Sequence, residues 1–468
     1  MIRSIKNFFK KIAPTVQIVR ARFDAASHGG ENEKHWAAAD YLSADAEANE
    51  SVRRTLRNRC RYEVANNTYA KGMILTLAND TIGTGPRLQL LTEDRDINAK
   101  VEREFAVWAG SIDLPGKLRT VRMARCQDGE AFILMVQNPK LDPMKPQLDL
   151  QLIEADRVTD LSGGTSGDSI DGIRYDSYGN PESYRILKYH PGGDEFDKDF
   201  YAAEDVDAEH VIHYFRSDRP GTHRGVPEIT SALPLFAQLR RFTLAVISAA
   251  ESAADFAGII YTDAPADETA DVQPMDTVSL RRNMLVTMPA GWRMSQIDAK
   301  QPCSTYSEFK KEILNEISRC LNMPYNIAAG NSSGYNYASG RLDHQTYYKS
   351  ISVERYNIEL NILNRIFRMW LREYSLLNGV DFAPGFRHQW MWDGFEHVDP
   401  AKEANAVKIR LENRTTTYAA EFAKQGRDWE YEMQQIAKEH KMMAELGILP
   451  GAVDVNRGSQ SIEEQENE

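Results

Sequence analysis

Gly330-x-Ser332-x-Gly334 carries the spacing of a nucleophile elbow, where a serine on a tight strand-to-helix turn attacks an acyl carbon and a histidine takes its proton. His344 lies close in sequence. The segment before the motif, Asn315 to Leu321, is amphipathic at helical spacing, and Met323-Pro324 supplies no buried strand to hold an elbow. Hydrolysis through Ser332 is therefore the alternative reading. The preferred one is a loop, Gly330 to Asn336, that projects toward a ligand, because a buried Gly/Ser/Asn loop would leave backbone groups unpaired. Other chemistry is thinner. His190, His210 and His213 stand apart on strands or loops and read as structural histidines. Cys60, Cys126, Cys303 and Cys320 show no metal or redox spacing and read as free thiols, small and buried, in a reducing compartment. Gly83-Thr84-Gly85 lacks the third glycine and the setting of a dinucleotide site, so it reads as a turn. No cofactor and no metal is expected.

The elements that position the loop are helical. Phe309, Ile313, Ile317 and Leu321 step by four and predict a helix over Tyr306 to Leu321. Beyond the loop, Ser339 can cap a helix to about Leu377, with Ile351, Ile358, Ile362, Ile366, Phe367 and Trp370 among its apolar positions. Unbroken, it spans roughly 55 to 60 Å at 1.5 Å per residue. Glu354, Arg355, Glu359, Arg365 and Arg368 exclude a membrane span, and the length suggests packing against neighbouring subunits as well as its own core. Another long helix is expected from Pro227 to Phe256, its later half dense in alanine (Ala245, Ala249, Ala250, Ala253, Ala254), which allows close helix approach. Helix is also expected from Ser51, continuing through Val64 to Leu77, and from Asn98 to Trp108. Arg53, Arg54, Arg57, Arg59 and Arg61 spread around the first of these and read as a solvated or intersubunit salt-bridged surface. Ala131 to Gln137, Leu148 to Ile153, Ile173 to Tyr175, Ser183 to Tyr189 and Val211 to Tyr214 read as a small, mostly antiparallel sheet inserted between helical regions.

A chain of 468 residues exceeds one core, so two or three packed regions are expected. Its 42% hydrophobic and 26% charged residues are those of an ordinary soluble protein. A net charge of −12 excludes a protein whose whole surface grips nucleic acid, but not one with DNA passing through a lumen. Met1 to Phe23 is basic, lacks the apolar core of a secretory signal, and reads as a mobile or partner-docked arm rather than a membrane helix. The run from Asp24 to Asn49 reads as irregular. Residues after Val453, with Glu463, Glu464, Glu466 and Glu468, read as disordered.

Asn66-Asn67-x-Tyr69-Ala70-x-Gly72, Ile82-Gly83-Thr84-Gly85-Pro86, His213-Tyr214-Phe215-x4-Pro220-Gly221-x3-Gly225-Val226-Pro227, Asn322-Met323-Pro324 and Asp399-Pro400-x-Lys402-Glu403 follow one another in an order that resembles the portal proteins of tailed bacteriophages, the lambda-like family. The resemblance covers about Arg22 to Leu449. It implies an α+β, mainly helical portal fold of wing, stem, clip and small crown, assembling as a dodecameric ring at a capsid vertex of the virion after assembly in the host cytoplasm. Double-stranded DNA would pass through without sequence-specific binding. Implied partners are the terminase large subunit, major capsid and scaffolding proteins and a head-tail connector, with no membrane. Mapped along the chain, 1–50 is a basic arm, 51–226 the first part of the wing, 227–257 a stem helix, 258–303 the clip and 304–322 the returning stem helix. Residues 323–399 hold the tunnel loop, the long helix and the rest of the wing, 400–453 the C-terminal helices with a candidate short crown, and 454–468 an acidic tail. Asn331, Ser332, Ser333, Tyr335 and Asn336 would face the DNA channel. Arg240, Arg241, Lys310, Lys311 and Arg319 are candidates for its wall, each with pairing to acids of adjacent subunits as the competing role.

Overall fold

The computed structural model describes residues 34–160, 169–193, 202–255, 259–262, 291–295, 303–334, 336–380, 382, 385–395 and 400–448. The arm before residue 34, the acidic tail, Tyr335 and most of the expected clip lie outside these residues.

Asn49 accepts from the Val52 N–H and starts α1, Glu50–Asn66. Expected to run on, the helix stops at Asn67, whose extended backbone turns the chain while its side chain caps α2, Thr68–Ile82. Strand β1 (Arg87–Leu90) is followed by α3 (Arg95–Ser111), capped by Asp94, and α4 (Leu114–Asp128), capped by Asp113. No helix was expected over α4, whose buried face mixes Leu114, Leu118 and Val121 with Arg122, Arg125 and Asp128.

The single sheet expected from the sequence is two sheets, all antiparallel. One has the order β3-β2-β8, from Glu130–Gln137 (β2), Leu148–Ile153 (β3) and Val211–Phe215 (β8). The other runs β4-β5-β6-β7, from Ser169–Ile170, Ile173–Tyr175, Pro181–Leu187 and Ala203–Asp207. Phe132, Ile153, Ile173, Tyr184, Ile186 and Val211 fill the space between them.

Thr230–Ala232 forms a 3-10 turn ahead of α5, Leu233–Asp255, which begins later than Pro227. Strands β9 (Ile259–Thr262) and β10 (Trp292–Ser295) pair antiparallel, and α6, Cys303–Arg319, returns alongside α5. The short helix α7, Tyr325–Ala329, precedes the loop. The long helix that follows is α8, Tyr337–Ile358, continued through a π-helical stretch, Glu359–Leu363, into α9, Asn364–Asn378, and ended by left-handed Gly379. Strand β11 (His388–Met391) pairs with β1, and α10 (Pro400–Glu412), α11 (Tyr418–Lys424) and α12 (Trp429–Glu445) close the described chain.

Two larger cores flank this helix. Met73, Leu77, Phe236, Ile317, Tyr347 and Ile351 belong to one; Phe105, Trp108, Ile362, Phe367, Trp370 and Trp390 belong to the other. The helix thus spans both, which accounts for apolar residues on so much of its circumference. Leu342, Val353, Tyr356 and Leu360 remain exposed.

Candidate functional site

The loop leaves α7 through Gly330 at φ +61°, with the Asn331 N–H donating to the Asn326 carbonyl at 3.0 Å. Asn331 Oδ1 accepts from the Ser333 N–H at 2.9 Å and from Ser333 Oγ at 2.6 Å, an Asx turn that folds the tip on itself. Gly334 takes φ +84°, and the Asn336 carbonyl accepts from Gly340 to open α8. Asn331, Ser332, Ser333 and Asn336 are exposed, and a Cβ at Gly330 or Gly334 would meet nothing within 4 Å. The tip is held by its own hydrogen bonds and its two roots.

Ser332 stands between helices, not on a strand-to-helix turn, and the His344 ring is engaged elsewhere: its Nε2 lies 2.9 Å from Asn326 Nδ2. The strand that strains an elbow serine into position has no counterpart here.

The five basic candidates have different surroundings. Arg240 pairs with Glu63 of its own chain at 3.0 Å and lies over the Tyr62 ring. Lys310 reaches the rings of Tyr69 and Tyr306, and Lys311 that of Tyr325. Arg241 and Arg319 are exposed. The paired helices touch through Phe242, whose ring lies 5.7 Å from that of Tyr306 and 4.7 Å from that of Phe309.

These helices pack onto the rest of the chain through the apolar core, and ahead of α5 in the chain lie two buried charge clusters that the sequence analysis missed. Glu130, fully buried at the start of β2, accepts a bidentate bond from Arg224 (2.6 and 2.9 Å) and bonds from the Gly225 N–H (3.0 Å) and His213 Nε2 (2.9 Å). Burial alone would raise its carboxyl; Arg224 and His213 hold it well below the usual range. His213, stacked between Phe132 and Phe215, is kept from protonation chiefly by burial. Of the five arginines expected on a solvated or intersubunit surface, Arg54 and Arg59 are exposed, while the other three join this cluster instead: Arg53 pairs with Asp171, Arg57 with Glu130 and Asp156, Arg61 with Asp128 and Asp156. Arg53 and Arg57 fall four apart on one face of α1, so a face rather than a stripe count was the signal to follow.

The second cluster centres on Glu228, just ahead of α5. It accepts from Arg122 at 3.0 Å and Arg125 at 2.9 Å; against burial, these two pull its carboxyl down to about 2. Arg125 also grips Glu354 on α8 with both terminal nitrogens, at 2.6 and 2.7 Å, and Tyr214 donates to the same carboxylate. Chain order alone could not show that Arg125, Glu228 and Glu354 meet. Together they lock the approach to α5 and the body of α8 onto α4. Of the cysteines, Cys60 and Cys126 are buried, Cys320 is half-buried, and all three are free.

Comparison with known proteins places this architecture. A sequence model of the family described as phage portal protein, lambda family, matches residues 30–355. The probable portal protein of Halomonas phage phiHAP-1 is 26% identical over 431 residues, spanning 84% of this chain and 81% of that protein. Among solved structures, a chain from the neck of an empty gene transfer agent particle, computed with C6 symmetry, is 14% identical with a TM-score of 0.45, covering 78% of this chain and 92% of that one. A chain from the neck of the native particle, computed with C12 symmetry, is 13% identical with a TM-score of 0.43, covering 80% of this chain and 94% of that one.

Proposed function

This chain belongs to the lambda family of phage portal proteins, and from that premise we propose that a dozen copies close into a ring-shaped channel at one capsid vertex, through which double-stranded DNA is packaged and later ejected. The observation that carries the proposal is the family match over residues 30–355, which includes both paired helices and the loop. In this reading the sheets and α1–α4 belong to the wing, α5 and α6 are the stem, β9 and β10 belong to the clip, and Gly330 to Asn336 is the tunnel loop. Helices α10 to α12 take the crown position. The clip side would dock the terminase large subunit and later a head-tail connector, and the wing would meet capsid and scaffolding proteins.

The physical chemistry suits a conduit. Exposed small polar groups at the loop can slide against phosphates without reading bases. Ionic screening over about 8 Å leaves only wall residues to act on the DNA, so an acidic molecule with a few local cations at Arg241 or Arg319 binds it weakly and lets it move. The role calls for guiding DNA rather than for a bond-making residue.

Native mass spectrometry of the purified protein tests the ring. A particle of about a dozen subunits is expected; a stable monomer or dimer under assembly conditions would sink the proposal.

A further inference from the structure

Asn331 to Gly334 are exposed and bonded to one another through Asn331 and Ser333, and the roots of the loop belong to different helices. Asn326 lies on α7, before the loop, and His344 on α8, after it. Their side chains meet at 2.9 Å, with Asn326 Nδ2 donating to His344 Nε2, and the Asn326 carbonyl holds the first loop amide, Asn331 N–H. The bond therefore ties the two arms across the base of the loop. Asn326 is buried, and its Oδ1 has no hydrogen-bond partner among the described residues.

We propose that Asn326 and His344 are positioning residues for the channel loop and form a latch with two settings. With Nε2 unprotonated, the ring accepts from Nδ2. Once Nε2 carries a proton it can only donate, and a half-turn of the Asn326 amide presents the unused Oδ1 to it. The latch then holds in both states, and more tightly in the protonated one, because the bond becomes charge-assisted. This rests on reading the loop as the channel constriction.

The surroundings of the pair carry charges of both signs. His344 opens on a cleft of about 810 Å3 that Arg341, Asp393, Lys402, Glu403 and Lys424 also line, with Arg355 and Glu359 roughly 16 and 22 Å further along the helix, and Asp80 on α2 lies within its electrostatic reach. Tyr347, next to the ring of Tyr348 that abuts His344, anchors α8 to Asp80 at 2.8 Å, so the helix itself stays put while the amide turns.

Hydrogen–deuterium exchange of the peptide spanning residues 327–334 tests this in the intact protein. After correction for intrinsic rates, protection should be several-fold greater near pH 5.5 than near pH 8. His344→Gln, whose amide can donate or accept at either pH, should keep the protection and lose its pH dependence. Asn326→Leu should lose roughly tenfold in protection at both pH values. Wild-type protection that ignores pH, or a pH dependence that survives His344→Gln, overturns the latch. The readout does not require DNA passage. A native mass without a ring would sink the channel reading while leaving the exchange result to judge the latch, and a ring with pH-independent exchange would do the reverse.

Discussion

At the scale of single residues, the most consequential group is Glu130. Two arginines and a histidine converge on one fully buried carboxylate, so removing it leaves Arg224 with only Asp171, and Arg57 with only Asp156, to offset a buried charge. Glu130→Ala should cost about 3 to 5 kcal/mol, read as a fall in the urea midpoint at unchanged slope; an unchanged midpoint would show that the cluster contributes nothing net. The same chemistry predicts an acid limit. Glu130 and Glu228 titrate lower in the folded chain than in the unfolded one, so their stabilisation is complete above the ordinary carboxylate value of about 4.3. It drains away as pH falls from there toward about 2, the folded value of Glu228. Thermal midpoints should begin to fall below about pH 6.5, because His213 titrates lower in the folded chain than in the unfolded one, and fall further below about pH 4.3, with a shallower second drop in Glu228→Gln. None of this was legible from chain order, because partners such as Arg125 and Glu354 are brought together only by the fold. One residue-level signal was visible without its reason. Gly225-Val226-Pro227 keeps glycine because a Cβ at 225 would lie 2.2 Å from the Gly129 carbonyl oxygen, and that backbone has no room to yield.

At the scale of elements, α5 and α6 touch through Phe242, Tyr306 and Phe309, while Ala245, Ala249 and Ala250 stay exposed beside Leu244 and Ile247. A stretch of small residues bare on the single chain makes sense as a seat for a neighbouring helix. Ala249→Leu or Ala250→Leu should weaken assembly by roughly 1 to 3 kcal/mol through overpacking, while the subunit stays folded. Ring yield by native mass analysis should fall; undiminished rings in both variants would place the interface elsewhere. Periodicity revealed α5, α6 and the long helix because their buried faces are apolar. It failed where the pattern is mixed or polar: α4 buries Arg122, Arg125 and Asp128 among its leucines, and β7, Ala-Glu-Asp-Val-Asp, is largely exposed and has the composition of a loop. It also missed the α1–α2 break, made by an asparagine in extended backbone instead of a glycine or proline, and the π-helical stretch, which leaves no compositional trace.

At the scale of the whole molecule, the loop lies at the N-terminal end of a helix that passes through two cores and is gripped midway by Arg125. An exposed tip on a mount this rigid suits a soft constriction, and repeated around one axis it would narrow a channel without closing it. Shortening Asn331 to Asn336 should therefore leave ring formation nearly unchanged, since none of the described residues of that segment belongs to either core, while DNA packaging or retention in the head declines. Ser332→Ala should be close to silent in both assays, because the neighbouring helices and the engagement of His344 with Asn326 leave that hydroxyl without a relay. The hydrolase alternative requires the opposite pattern: esterase activity lost in Ser332→Ala, and covalent labelling of Ser332 by a fluorophosphonate in the wild type. Labelling at that position would overturn the conduit reading of the loop, and shortened loops that package and retain DNA normally would remove the constriction from the mechanism even if the ring itself stands.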